Sequence, residues 1–451
     1  MDANAEDVRA QQELRPTCGG LGKIMTRSTI RIKKGRDVST RNFHPWFKAG
    51  TTVSSLMKLN HGLHLAYCTN VHRGEGWDET FASLTRHTLA VKQRVCPGAP
   101  YGIGLRLGNG ASVELSEAKR LVEFQKWLEQ NNCYVFTING FPYGQFHGGR
   151  VKENVYRPDW TTPERLAYTN RLFDLLAELV PPGMEGSVST LPGSFKEFIT
   201  TPEQERRMRD QFWQCVEHIA AVSARTGRKL HLGVEPEPLG WFENSRETIR
   251  FFEQMRAEHP GDARLDEHLG VNYDACHFAI EFEEPAQAIG ALREHNIKIS
   301  KLHLSSALKM RPTPEARRAV AAFADDVYLH QVAVRSPDGG LLVYKDLEPA
   351  LNLPDVGGLA ETEWRVHFHI PLHSPATGWY ETTSDHVTGV LDLLKADPAL
   401  CSHLEMETYT WEVLPAGLKD RSVVDQLVAE YEWTLRRLAE RGLANRDLVL
   451  Q

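Results

Sequence analysis

Cysteine is sparse in this chain of 451 residues: the seven, Cys18, Cys68, Cys96, Cys133, Cys215, Cys276 and Cys401, are scattered and form no CxxC pair. That excludes a disulfide-stapled secreted domain and a zinc ribbon, and it fits a reduced, cytoplasmic protein. No apolar run reaches the roughly 18 residues that a membrane-spanning helix needs. The opening stretch, MDANAEDVRAQQELRPTCGG, lacks the apolar core of a secretory signal. Neither charge sign is in large excess, with a net charge of −7, so nothing in the overall balance calls for nucleic acid or an acidic membrane as partner. What remains is an ordinary globular composition, 41% hydrophobic and 25% charged, with ample material for a core.

Residues 1–55 differ from the rest. They are polar, carry Lys23, Arg27, Arg31, Lys33, Lys34, Arg36 and Arg41, and have few large apolar residues. A disordered basic leader is expected there. Two readings of it stand side by side: a native arm, or an extension upstream of a start near Met57. From residue 56 to 451 a single domain is expected. Strand-like runs lie at 63–70, 101–107, 134–141, 185–191, 229–235, 268–274, 298–304, 364–370 and 403–409. Between them lie helix-like stretches such as SEAKRLVEFQKWLEQNN, with Leu121, Phe124, Trp127 and Leu128 as its stripe and Ser116 as N-cap, and the stretch 201–227, which ends on Gly227. Strand–helix alternation predicts a parallel sheet, and α/β barrels with insertions reach this length as one unit. Nine strand candidates are one too many for eight. Residues 306–363, with a hairpin turn at Asp338-Gly339-Gly340, read as an insertion, and 364–370 belongs either to it or to the barrel.

Five apolar runs end in acids or histidines: KLHLGVEPEP with Glu235, LGVNYDACH with Asp274 and His277, KISKLHLS with His303, WRVHFHIPLH with His367 and His369, and HLEMETYTW with Glu405 and Glu407. Such residues do not belong in buried strands unless something binds them. At the C-terminal ends of successive barrel strands they converge on one mouth. Glu235, Asp274 and His303 close three consecutive units, 39 and 29 residues apart, and Glu407 closes the last strand. Glu, Asp, His and Glu make a suitable shell for Mn²⁺, Mg²⁺, Co²⁺ or Zn²⁺. His231, early in its strand, reads as a core histidine. GIGLRLGNG is discounted as a dinucleotide fingerprint, because Gly102 and Gly104 fall inside the strand.

At these positions the chain resembles the xylose-isomerase-like TIM-barrel superfamily, which includes sugar isomerases, ketose 3-epimerases and endonuclease IV. The resemblance covers roughly 57–415. It implies a (βα)8 barrel, a divalent metal on Glu235, Asp274, His303 and Glu407, and contact of His277 with substrate or a second metal. Narrower segments, HLAYCTNVHRGEGW, INGFPYGQFHG, VKENVYRPDW, VSTLPGSFK and ETYTWEVLP, resemble the EboE family of metabolite-traffic proteins from Met57 to about residue 440. That likeness implies the same barrel and leaves the reaction open.

Two pairs stay ambiguous: Glu405 shares strand parity with Glu407, and Glu237 stands beside Glu235. The terminal pattern favours Glu407, and the Glu-Pro match favours Glu235. His367, His369 and His373 have no counterpart in simple epimerases. They either extend the shell toward several metals or pack behind it, and His369 counts among the substrate-binding candidates. The first strands and the loop FPYGQFHGG add Asn70, His72, Arg106, Asn139, Tyr143, Phe146 and His147 to those candidates. Three functions are expected in turn. The first is proton transfer next to the carbonyl of a small sugar-like or secondary-metabolite substrate, with Glu235 and Glu407 as the acid–base pair. The second is hydrolysis with two or three zinc ions, and the third is metabolite binding without turnover. A homo-oligomer is left open.

Overall fold

The computed structural model describes residues 59–354, 358–415, 419 and 421–445. The basic leader expected over 1–55 and the start near Met57 lie outside them. Seven parallel strands follow one another around a barrel: β1 (His64–Tyr67), β2 (Tyr101–Arg106), β3 (Cys133–Asn139), β4 (Glu185–Thr190), β5 (Lys229–Val234), β6 (Leu269–Asp274) and β7 (Lys298–Leu304). A second, antiparallel sheet follows, made of β8 (Leu308–Met310), β9 (Val332–Arg335), β10 (Leu341–Tyr344), β11 (Glu363–Val366) and β12 (Glu381–Thr382), in the order β10-β9-β11-β8-β12. The chain then returns to the barrel as β13 (His403–Met406), which pairs with β7 on one side and β1 on the other. A parallel bridge between Cys68 and Gly104 joins β1 to β2 and brings the eight strands round to near closure. The chain therefore folds as a (βα)8 barrel with an insertion before its last strand.

The strands are buried on both faces, as parallel strands under a ring of helices must be. The helices take their ends from the signals in the sequence. Pro202–Thr226 opens on a capping box between Thr201 and Gln204 and closes on Gly227 at φ 68°. Ser116 is not the N-cap of the next-door helix. That helix runs Ala118–Gln130 behind Glu117, and the Ser116 hydroxyl donates to the carbonyl of Ser112 at 2.7 Å, at the end of the preceding helix. Gly104 is required by what lies inside the barrel: a Cβ there would stand 1.9 Å from Glu405 Oε1. Gly104 thus makes room for a buried carboxylate, whereas Gly102 makes room for the Phe136 ring.

The surplus ninth strand is resolved. Only Glu363–Val366 is strand, and it pairs antiparallel with β8 and β9, so it belongs to the second sheet. After Val366 the chain runs on without strand pairing, tied by His367 N to Gln331 O and Ile370 N to Ser306 O, each at 2.8 Å. The insertion thereby delivers His367 and His369 to the barrel. The hairpin turns where the glycines stand, with Ser336 N bonded to Gly340 O and Gly339 at φ 88°. Among the described residues no disulfide forms, the six described cysteines are buried, and no helix is long and apolar enough to cross a membrane.

The barrel floor holds three histidines. His64 Nδ1 meets Tyr134 Oη at 3.0 Å, His231 Nδ1 meets Ser300 Oγ at 2.6 Å, and His403 Nδ1 meets Ser187 Oγ at 2.8 Å. Burial drives His64 and His231 down to about 4 and His403 well below its ordinary value. The fold keeps these rings neutral, whereas the unfolded chain takes up protons near pH 6.5. Their contribution is whole above pH 6.5 and is lost as pH falls toward 4. The urea midpoint is therefore expected to drop between pH 7 and pH 5, each ring accounting for about 1–2 kcal/mol. The drop is expected to shrink in a His231→Gln variant; equal drops in both proteins would contradict this.

Candidate metal centre

Three strand ends and one interior imidazole build the centre. Glu235 follows β5, its backbone N–H donating to Thr190 O at 3.0 Å. Asp274 ends β6, and its Oδ1 accepts from Cys276 N at 2.8 Å, His277 N at 3.1 Å and Ser305 Oγ at 2.6 Å. Those bonds cap the short helix Ala275–Ile280 and fix the carboxylate. His303, on β7, lies in register with Asp274 on one side and Glu405 on the other. Glu407 follows β13, and its Oε1 accepts from Asn70 Nδ2 at 2.7 Å and Asn139 Nδ2 at 3.2 Å.

These groups meet at one atom. His303 Nδ1 stands 3.1 Å from Glu235 Oε1, 3.3 Å from Asp274 Oδ2 and 3.2 Å from Glu407 Oε2. The Asn272 amide also stands 3.3 Å away. One proton on Nδ1 cannot serve three carboxylates. Ligands about 2.0–2.2 Å from a shared cation stand about 2.8–3.6 Å from one another, and each of the three carboxylates stands at such a distance from Nδ1. Asp274 Oδ2 and Glu235 Oε2 are buried with no hydrogen-bond partner, and donor atoms of Glu235, Asp274, His303 and Glu407 all lie within 4.8 Å of each other. The residues fit a divalent cation.

Behind the centre, His303 Nε2 faces Glu405 Oε2 at 2.8 Å, and Lys301 Nζ reaches the same oxygen at 2.6 Å, all three groups fully buried. Burial would raise Glu405, but Lys301 and His303 outweigh it and bring it down to about 2. An ionised Glu405 takes the Nε2–H, which turns Nδ1 toward the mouth. This separates the two acids of the last strand: Glu407 joins the centre and Glu405 orients its imidazole. Burial would also lower His303, yet Glu407 and Glu235 hold it well above its ordinary value. Glu237 is raised well above its ordinary value by burial and by its neighbours Glu235, Asp274 and Glu407.

The centre opens on a cavity lined by Asn70, Asn139, Glu235, Glu237, His277, His367 and Glu407, with Phe141, Phe146, Tyr156, Tyr328 and Tyr409 as its aromatic wall. Of the residues expected at the mouth, Asn70, Asn139, Phe146 and His277 reach this cavity. His369 lies behind it, its Nδ1 3.0 Å from Glu407 O. His147 bonds Asn70 O at 2.6 Å and Tyr328 Oη at 2.7 Å and so ties the loop to the insertion. Three others stand away from the cavity. His72 bonds Tyr67 Oη at 2.9 Å and stacks on His87 in an outer cleft. Arg106 donates to the carbonyls of Gly74 and Gly144, each at 2.7 Å, which pins two loops. Tyr143 packs edge-on against Tyr168. His373 is half-buried. Lys301 went unnoticed in the sequence, though its parity with His303 in a buried strand marked it as a charge inside the barrel. Nothing in the sequence flagged Gln331.

No family model matches the chain, and no curated protein matches it. Solved structures do. The IOLI protein with a binding zinc atom is 10% identical with a TM-score of 0.46, over 84% of this chain and 99% of its own. A xylose isomerase-like TIM barrel protein from Mycobacterium smegmatis in complex with magnesium is 14% identical with a TM-score of 0.44, over 85% and 99%. L-ribulose 3-epimerase is 12% identical with a TM-score of 0.44, over 84% and 95%. The roles of residues in this chain rest on its own geometry.

Glu405→Gln removes the charge that orients His303 while leaving all four proposed ligands. It is expected to weaken binding of Mn²⁺ about 10–100-fold by calorimetric titration. Unchanged affinity would separate Glu405 from the centre.

Proposed function

We propose that this protein is a divalent-metal-dependent enzyme of the isomerase or epimerase class, moving a proton next to the carbonyl of a small sugar-like or secondary-metabolite substrate. The observation that carries this is the single nitrogen, His303 Nδ1, faced by carboxylate oxygens from three strands. Glu235, Asp274, His303 and Glu407 would hold Mn²⁺, Mg²⁺, Co²⁺ or Zn²⁺, and such an ion, when bound, polarises a substrate carbonyl.

The two glutamates differ in a way that suits opposite tasks. Glu407 is pinned by two amide donors, Asn70 Nδ2 at 2.7 Å and Asn139 Nδ2 at 3.2 Å. Glu235 keeps one buried oxygen with no hydrogen-bond partner and lines the cavity, so that oxygen is free to take a proton from substrate. Glu407, on the other side of the centre, starts the turnover protonated and gives that proton to the opposite face, so the two carboxyl groups end with their protonation states exchanged. Asn70 and Asn139 fix Glu407, and the aromatic wall keeps water from the reacting carbon. Trafficking of a metabolite without turnover has no structural observation in its favour.

Glu235→Gln, Asp274→Asn and His303→Ala are each expected to lower the Mn²⁺ bound at the centre, read by metal analysis after dialysis. Proton transfer next to a carbonyl also exchanges the α C–H with solvent. Incubation with a panel of ketoses in D₂O, followed by proton NMR, is expected to show exchange that Glu235→Gln slows about 10²–10⁴-fold. Full metal occupancy in all three variants would contradict the scheme.

A further inference from the structure

Much of the cavity wall comes from outside the barrel strands. Tyr328, Leu329 and Gln331 reach it from the insertion, and Phe141, Phe146 and Tyr156 reach it from the segment after β3. The two segments are tied to each other. Val151 N and Lys152 N both donate to Val327 O, each at 2.8 Å. Lys152 is held there with a left-handed backbone, at φ 41°. Its Nζ donates to Asp325 O at 2.8 Å and to Asp346 Oδ2 at 2.7 Å. The wall is thus a fixed part of the site.

Its rings form two groups. Phe146 meets Tyr328 and Tyr409 at centroid distances of 5.3 Å each, and Tyr328 meets Tyr409 at 5.2 Å. Phe141 and Tyr156 meet edge-on at 5.6 Å. Val151, Val155 and Leu329 add aliphatic surface. Such a wall gains most by covering an apolar ring, and gains less from a bare polyol chain. Two buried polar atoms of cavity residues have no hydrogen-bond partner, Tyr156 Oη and Glu237 Oε1. The two side chains are neighbours. A hydroxyl on the ligand answers both, because it donates and accepts.

Charge narrows the ligand further. The centre gathers three carboxylates, Glu235, Asp274 and Glu407, for one divalent cation, and Glu237 adds a fourth carboxyl to the wall. Among the described residues that line the cavity, Lys152 is the one lysine or arginine. Its ammonium is already engaged by Asp325 O and Asp346. A phosphate or carboxylate on the ligand would meet acids and no free cationic side chain. Building on the metal-dependent proton transfer of the preceding section, on which this step rests, we propose that the substrate is an α-hydroxycarbonyl compound that carries a hydroxylated apolar ring and no anionic group. Its carbonyl and α-hydroxyl face the centre, its ring lies on the aromatic wall, and Glu237 and Tyr156 take the ring hydroxyl. The insertion, through Tyr328 and Leu329, selects for the ring.

The test is titration of the Mn²⁺-loaded full chain with probes that share one α-hydroxyketone group, read by the relaxation that bound Mn²⁺ causes in the probe's proton signals. The probes are hydroxyacetone, dihydroxyacetone phosphate, α-hydroxyacetophenone and the meta- and para-phenols of the last. α-Hydroxyacetophenone is expected to bind at least about tenfold tighter than hydroxyacetone. The better placed phenol is expected to bind about two- to tenfold tighter again, and dihydroxyacetone phosphate no tighter than hydroxyacetone. Tyr328→Ala is expected to cut the ring's advantage below about threefold while hydroxyacetone still binds. Leu329→Gln serves if Tyr328→Ala does not fold. Glu237→Leu is expected to abolish the phenol's extra gain; a gain that persists there would overturn the role of Glu237. A phosphate that binds tightest, or a ring that brings no advantage, would overturn the ligand class, and the reaction would still stand if ketoses exchange their α C–H in D₂O. Ring binding as expected, with no such exchange in any probe or ketose, would instead overturn the reaction and leave the ligand class standing.

Discussion

Charge burial governs this structure. Glu235, Asp274, Glu405 and Glu407 are at most 4% exposed and crowd around one imidazole. Removing ionised carboxylates from water is costly unless each finds positive charge or donors. The protein supplies part of that from itself: Lys301 against Glu405, two asparagine amides on Glu407, and backbone and hydroxyl donors on Asp274. What is left over, one oxygen from each of three acids aimed at one nitrogen, asks for a cation.

The barrel exists to hold that arrangement. Parallel strands put successive chain segments side by side in a fixed register, so Asp274, His303 and Glu405 face each other by strand pairing alone. Gly104 clears the interior for Glu405. The insertion adds a second layer. Its sheet anchors the segment after β11, and that segment carries His367 to the cavity wall and His369 behind it, where Gln331 and the carbonyl of Glu407 set their orientation.

The alternation of apolar runs with helical stripes made the barrel legible in the sequence, because parallel strands are buried on both faces and read as unbroken apolar segments. The strand tips Glu235, Asp274, His303 and Glu407 were legible for the same reason, since a polar residue ending such a run stands out. Side-chain parity left Glu405 and Glu407 alike and the terminal pattern favoured Glu407; the strand pairing that sets Glu405 against the far nitrogen of His303 gives the two their separate places. The WRVHFHIPLH run stayed open between barrel and insertion. Its alternation is that of a strand, but its partners, β8 and β9, are antiparallel and lie outside the barrel. Arg106 and His72 looked like mouth residues because one ends and the other follows an early strand, yet loop carbonyls and Tyr67 take up their hydrogen-bonding groups.

A crystal of the chain grown with Mn²⁺ and measured at the manganese absorption edge tests the central claim most directly. The account predicts an anomalous peak about 2.0–2.3 Å from Glu235 Oε1, Asp274 Oδ2, His303 Nδ1 and Glu407 Oε2. A fully loaded crystal with no peak among those four atoms would contradict it.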